Sequence, residues 1–231
     1  MTLTGHQPNY LPYLGFFNKI AQADCFCIVD NVQFVKRGPF GWQHRNKIRT
    51  EDGWMWLSVP ILTKGRFDQK ISQARINNRV PWQRKHWRSI YLNYHKSPYF
   101  SKYADFFESL YKKEWDLFCD LSISIICYLI EAFGIEVKIV RQTELLVEGK
   151  GTELIINLCK ALGADRYISG PHGRDYLDTK KIESANIELV FADFKHPVYS
   201  QQYEGFVPNL SAIDLLFNCG PESLKILMGN V

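Results

Sequence analysis

The sequence predicts an α/β fold: a mostly parallel sheet with a basic β-insert and a helical segment set into it. Three observations predict it. Thr2–His6, Leu14–Ala23 and Cys25–Val29 read as strand, short helix and strand, and such a unit makes neighbouring strands parallel. The alternation returns after residue 134, where Ile135–Val140, Arg166–Ser169 and Ile187–Phe191 are short β-type runs between helical spacings. The stretch between is different in kind, being basic and aromatic at first and helical afterwards. The expected organisation is one Rossmann-like α/β domain over 1–231, with an inserted basic β/helical subdomain at about 36–133.

Each element has its own warrant. Thr2–His6 is closed by Pro8 and Pro12, which break regular structure. Leu14, Phe16, Phe17, Ile20, Ala21 and Ala23 follow helical spacing, and Cys25–Val29 is a short apolar run suited to a buried strand. Glu51-Asp52-Gly53 is a turn signal between Asn46–Ile48 and Trp54–Pro60, so a hairpin is expected around 44–60. Ile71–Ile76 reads as a further strand. Pro81 suits a helix start, and Trp82, His86, Ile90 and Tyr94 share one face. Phe100–Tyr111 and Glu114–Phe133 read as helices, the second ended by Gly134. Thr152–Leu162 is an amphipathic helix closed by Gly163. A helix near Leu177–Ala185 joins the last two strands, and a final helix starts near Ser211, an N-cap type, with Asp214 at its third position.

Composition narrows the class. The chain has 231 residues, 46 % hydrophobic and 23 % charged, ordinary for a globular protein and long enough to bury a core unaided. No stretch approaches the roughly 18 apolar residues of a membrane span, and residues 1–7 lack the basic and apolar regions of a secretion signal. The six cysteines form no CxxC pair and sit among apolar neighbours, so buried free thiols and a reducing cytoplasm are expected, with no metal site. Charge is lopsided. Val35–Lys102 holds fifteen Lys/Arg against three acids, a net of +12, while the remainder carries −8. That segment either meets an anionic partner, is a solvated basic face, or is neutralised by the acidic remainder.

Five clusters can carry chemistry. Ligands of open α/β sheets bind beyond the carboxyl ends of the strands. His6-Gln7-Pro8-Asn9-Tyr10 follows the first strand; His6 can serve as acid or base, and Gln7, Asn9 and Tyr10 can bind substrate, the alternative being a rigid proline-bounded turn. Asp30-Asn31-Val32-Gln33 follows the second strand, where Asp30 can orient His6 or bind a sugar hydroxyl, or cap its own turn. Trp42-Gln43-His44-Arg45-Asn46-Lys47 offers cations for phosphate and a ring for stacking. Ser169-Gly170-Pro171-His172-Gly173-Arg174-Asp175-Tyr176 follows a strand and is expected to open a helix whose N-terminus favours an anion, a tight turn being the alternative. His196 lies just past the last strand. No Walker A loop, GxGxxG, GxSxG, HExxH or DxD pattern occurs.

The residues His6-Gln7-Pro8-Asn9-Tyr10-Leu11-Pro12, Gly15-Phe16-Phe17, Asp30-Asn31-Val32-Gln33-Phe34, Arg45-Asn46-Lys47-Ile48, Tyr167-Ile168-Ser169-Gly170, His196-Pro197-Val198-Tyr199 and Leu210-Ser211-Ala212-Ile213-Asp214 resemble those of the WbqC-like family over nearly the whole chain. That resemblance implies a bacterial protein encoded with genes for O-antigen and other surface polysaccharides, and a transferase moving an acyl or aminoacyl group to an amino sugar. It carries no catalytic assignment. The expected substrates are a nucleotide-linked or lipid-linked sugar and an acyl-CoA or aminoacyl-tRNA donor. His6, Asp30 and His196 are the candidate catalytic residues. Gln7, Asn9, Tyr10, Gln33, Arg45, Asn46, Lys47, Ser169, Gly170, His172, Asp175 and Tyr176 are the candidate binding residues. A weaker likeness to pantothenate synthetase-like folds covers only the opening, and Pro12-Tyr13-Leu14-Gly15 stands where those folds carry an HxGH signature. A nucleotide-dependent ligase or nucleotidylyltransferase, and a non-enzymatic nucleic-acid-binding or scaffold protein, are the competing expectations.

Overall fold

The structure, a computed structural model, describes residues 1–35 and 43–229. The stacking role expected of Trp42 lies outside the described residues. Strand β1 (Thr2–His6) leads through helix α1 (Leu14–Ile20) to β2 (Cys25–Ile28). The chain then makes a hairpin, β3 (Arg45–Thr50) and β4 (Gly53–Ser58), and three helices, α2 (Trp82–Tyr94), α3 (Phe100–Lys112) and α4 (Phe118–Phe133). It returns as β5 (Lys138–Arg141), α5 (Gln142–Leu145), α6 (Gly151–Leu162), β6 (Arg166–Ser169), α7 (Thr179–Ser184) and β7 (Glu188–Phe191), and finishes with α8 (Ile213–Cys219) and α9 (Ser223–Leu227).

The five sheet strands run in the order β5-β2-β1-β6-β7, and every pair is parallel. Counting only these strands, the order is 3-2-1-4-5, so the protein is α/β with a Rossmann-like sheet. β2 shows why it forms where it does. All four of its residues are buried, as a strand covered on both faces requires. Phe26 and Ile28 point into a core with Phe16, Phe17 and Ile20 of α1 and Leu129 of α4. Cys25 and Cys27, one residue out of phase, point to the opposite core, against Leu158 and Cys159 of α6 and Ile182 of α7. Full burial of a side chain the size of Phe26 contributes about 2–3 kcal/mol.

The hairpin is antiparallel, with Thr50 opposite Gly53, whose φ of +128° suits glycine in so tight a turn. Ile48 and Leu57 turn into the core, while Trp54 stays 48 % exposed. In α4 the buried residues Phe118, Leu121, Ile125, Leu129 and Phe133 recur every three or four positions, and Gly134 ends it at φ +73°.

Three expectations need correction. Ile71–Ile76 is a 3-10 turn over Ile71–Gln73 followed by an isolated bridge from Ile76 to Ile61, because Ile71 and Ala74 are anchored in the core rather than paired in a sheet. Glu114–Leu117 is not helical: Trp115 donates its indole N–H to the Leu110 carbonyl at 2.9 Å, and Leu117 bridges to Arg75. The last helix starts at Ile213, and Ser211, fully buried, reaches the Ile213 N–H only at 3.5 Å. Its neighbour Asp214 is also fully buried, accepting from Tyr94 (2.9 Å), Tyr199 (2.9 Å) and Gln201 (2.8 Å), and so ties α8 to α2 and to the 199–201 segment. No helix among the described residues is long and apolar enough to cross a membrane.

Candidate functional site at the strand switch point

The sheet order reverses between β1 and β6: from β1 the chain proceeds to one side, from β6 to the other. The loops after these strands diverge and leave a crevice at their carboxyl ends. The register sets Thr4 opposite Ile168, which brings His6 and the Ser169–Gly170 turn to the same end.

His6 closes β1. Its Nδ1 lies 2.9 Å from the Gln7 carbonyl, a contact only a protonated Nδ1 can make favourably, so Nε2 is the basic nitrogen; it makes no hydrogen bond among the described residues. The ring meets Phe16 edge-on at 4.7 Å. Burial, and then the charge of Lys19, push the imidazole down to about 3, so it is neutral at physiological pH.

Lys19 is the residue that sequence reasoning missed. It lies on α1, only 4 % exposed, between Phe16 and Ile20, which are fully buried. Its Nζ donates to the Gly5 carbonyl at 2.9 Å, and among the described residues no carboxylate lies within salt-bridge distance. Burial lowers the ammonium to about 7. Buried lysines are rarely left without a counter-charge, and an amine titrating near neutrality is suited to proton transfer. The signal in the sequence is the lone cation of Leu14–Ala23, one position from the buried Ile20 and three from Phe16.

The loop after β1 is held under strain. Leu11 adopts φ +46° while fully buried, a conformation costing on the order of 1 kcal/mol that persists only where the surroundings enforce it. Asn46 donates to the Leu11 carbonyl at 2.5 Å, Ala212 N–H to the Pro12 carbonyl at 2.8 Å, and Ser211 N–H to the Lys47 carbonyl at 2.8 Å. Gln43 donates to the Gln7 side chain and accepts from the Val35 N–H at 3.3 Å. Asn9 keeps its side-chain oxygen buried, with no hydrogen bond among the described residues. Tyr10 points into the core, where its hydroxyl meets His86 Nδ1 at 2.7 Å and the Tyr111 hydroxyl at 2.5 Å.

The other candidates are placed unevenly. Asp30 sits at the carboxyl end of β2 but is fully buried. It accepts from Arg141 Nε (3.0 Å) and Nη2 (2.9 Å), the Thr143 hydroxyl (2.9 Å) and the Thr143 N–H (3.1 Å), and makes no hydrogen bond to His6. It clasps the ends of β2 and β5 together. His196 uses both ring nitrogens: Nδ1 meets the Pro197 carbonyl at 2.8 Å and Nε2 accepts the Asn209 N–H at 3.1 Å, so it staples the 196–209 segment. Burial lowers it too.

Arg45 lies 4.6 Å over Trp56, and Lys47 4.8 Å over Trp54, a cation–aromatic ladder on the outer face of the hairpin. Gln33 donates to the Phe67 carbonyl at 3.0 Å, away from the crevice. Ser169 is buried at the crevice, its hydroxyl 3.2 Å from the Gly170 carbonyl. The helix expected straight after it is instead a five-residue 3-10 turn, Pro171–Asp175, with α7 beginning only at Thr179, so no helix N-terminus faces an anion there. His172 and Asp175 are exposed and 3.4 Å apart, and Tyr176 is 59 % exposed. Asp30, Asp193 and Asp214 do not converge, and among the described residues no three His, Cys, Asp or Glu side chains gather as metal ligands.

The charge asymmetry resolves differently from one of its readings. In 43–102 Arg75 pairs with Asp116 at 2.8 Å, while Lys64, Arg66, Arg84, Lys85 and Arg88 have no carboxylate within salt-bridge distance among the described residues. The acidic remainder therefore does not neutralise those five cations through direct ion pairs.

Comparison with known proteins adds a family. The model of the WbqC-like protein family matches residues 7–226. An uncharacterized protein of Mycobacterium tuberculosis (strain ATCC 25618 / H37Rv) is 35 % identical over 223 residues, which is 94 % of this chain and 93 % of that protein. No solved structure matches.

Proposed function

The chain belongs to the WbqC-like protein family, and on that premise we propose that it is a transferase acylating an amino sugar in bacterial surface-polysaccharide biosynthesis. The observation that carries the reading is His6 and Lys19 at the carboxyl end of β1: an imidazole whose Nε2 makes no hydrogen bond, within reach of the charge of a buried amine that has no carboxylate within salt-bridge distance, among the described residues. Acyl transfer to an amine needs a group that takes up the amine's proton. The sugar amine attacks the acyl carbonyl carbon, a C–N bond forms, and the C–S or C–O bond of the donor breaks. The proton shed by the nitrogen passes to the His6–Lys19 pair and then to the leaving thiolate or alkoxide. Burial and the charge of Lys19 lower His6, and burial alone brings Lys19 down to about 7, so the two groups hold at most one proton near neutrality. Once Lys19 is neutral, the charge that weakens His6 is gone.

The test is direct. Purified protein is incubated with nucleotide-linked amino sugars and either acyl-CoA or aminoacyl-tRNA, and acylated sugar is read by mass spectrometry. His6→Ala and Lys19→Met should each lower the rate by roughly 10²–10⁴ while circular dichroism stays native. Full activity in both variants would end this assignment. Pyrophosphate release from ATP without acyl transfer would favour a ligase instead.

A second reading, an RNA-binding protein without catalysis, is favoured by Lys64, Arg66, Arg84, Lys85 and Arg88, which have no carboxylate within salt-bridge distance among the described residues. It expects RNA affinity that falls steeply with salt and is indifferent to His6→Ala.

A further inference from the structure

A pocket of about 440 Å³ opens between residues 33–35 and 63–69. Its lining includes Gln33, Phe34, Lys64, Arg66, Phe67 and Gln69, and, among the described residues, no carboxylate. Phe34, 5 % exposed, is part of the main core and packs edge-on against Phe118, which gives the pocket a fixed floor. The rim is braced: Gln33 donates to the Phe67 carbonyl at 3.0 Å, Gln69 to the Leu62 carbonyl at 3.1 Å, and Phe34 N–H to the Gln69 carbonyl at 2.9 Å. A pre-formed pocket spends little ordering entropy on binding.

Two features of this rim are unfavourable in the free protein. Phe67 leaves its ring 81 % exposed. Gln69 keeps a buried side-chain oxygen without a donor among the described residues. Lys64 and Arg66, beside them, have no carboxylate within salt-bridge distance among the described residues. A bare ring and two cations without carboxylate partners around one hollow match a ligand with a flat heterocycle and an anionic phosphate. The volume lies in the range of small-molecule sites, about 300–1,000 Å³.

We propose that this pocket binds a nucleoside phosphate, with the base against Phe67 and the phosphate on Lys64 and Arg66. A hydrogen-bond chain connects the pocket to the loop beside His6: the Val35 N–H donates to Gln43 at 3.3 Å, and Gln43 donates to Gln7. The nucleotide is therefore the handle of a group-transfer substrate, a role that rests on the acyl-transfer reading, whereas the binding itself does not.

Titration calorimetry at low salt tests it with ADP, UDP, coenzyme A, inorganic pyrophosphate and tRNA. At least one of the three small nucleotides should bind more tightly than about 1 mM, and pyrophosphate more weakly. Lys64→Ala and Arg66→Ala should each weaken the nucleotide about tenfold. Phe67→Ala should weaken the nucleotide but not pyrophosphate. His6→Ala should leave affinity unchanged, so a failed reaction and a failed pocket are told apart. Which nucleotide binds identifies the source, a nucleotide sugar or a CoA thioester. Binding of tRNA alone would overturn the proposal in favour of a polyanion surface. So would nucleotide affinity untouched in the Lys64→Ala/Arg66→Ala double variant, or pyrophosphate binding as tightly as every nucleotide.

Discussion

Replacing Lys19 with methionine should flatten the pH dependence of stability in the alkaline range. The ammonium is lowered by burial from 10.5 to about 7. Holding the charged form in the fold therefore costs on the order of 5 kcal/mol relative to the neutral amine. The sign follows from proton counting. Between pH 7 and 10.5 the unfolded chain keeps a proton on Lys19 that the folded protein has released, so stability rises with pH across that window. From pH 7.5 to 9.5 the gain integrates to about 2.5 kcal/mol. Methionine has nearly the same reach and no charge, so the variant lacks this gain. Buried thiols and phenols such as Cys27 and Tyr111 are raised by burial and work in the opposite direction, but they are common to both proteins and cancel in the difference. His6 is neutral in both states throughout the window. Urea unfolding of the two proteins at pH 7.5 and 9.5 is the assay. Parallel pH dependences would refute the claim that Lys19 is buried without a counter-charge.

Three further outcomes are expected. Asp30→Ala should cost about 2–4 kcal/mol in urea unfolding, because it strands Arg141, itself 31 % exposed, and frees Thr143; a loss under about 1 kcal/mol would mean the β2–β5 clasp is idle. Tyr94→Phe should cost about 1–3 kcal/mol, since the hydroxyl both accepts the Arg49 N–H and donates to Asp214, each at 2.9 Å; an unchanged melting temperature would argue against that bridge. Burial raises Asp214 from 3.8 to about 6, so the unfolded chain sheds this proton first and stability falls as pH rises from 4 to 6; Asp214→Asn should remove about 2 kcal/mol of that fall, and equal slopes in the two proteins would contradict it.

What could be read in advance follows a physical division. Thr2–His6 and Arg166–Ser169 were legible as strands because short β-type runs end at Pro8 and at Gly170-Pro171, and Gly134 and Gly163 marked helix ends because left-handed backbone favours glycine there. Glu114–Leu117 was not, since its composition is helical and only the contacts of Trp115 and Leu117 draw it out. The same holds at the site. Strand-end logic placed His6 at the crevice. The partners that decide the other roles are remote in sequence: Arg141 stands 111 residues from Asp30, and the amide that occupies His196 comes from Asn209. Lys19 escaped notice because its isolation comes from the packing of α1 on the sheet, which leaves the Gly5 carbonyl as its hydrogen-bond acceptor.

The position of β1 in the middle of the sheet has a consequence for how the protein is made. Thr4 donates its hydroxyl to the Ile168 carbonyl at 2.8 Å, across 164 residues. At about 5–20 residues per second, a ribosome that has delivered β1 takes roughly 8–30 s to deliver β6. During that interval the emerging segment can pair with β2 on one side, while its other edge, ending in the crevice, stays open. Holding factors at the ribosome would have their longest opportunity to act on that open edge, and substitutions in Thr2–His6 would show in the yield of folded protein before they show in its activity.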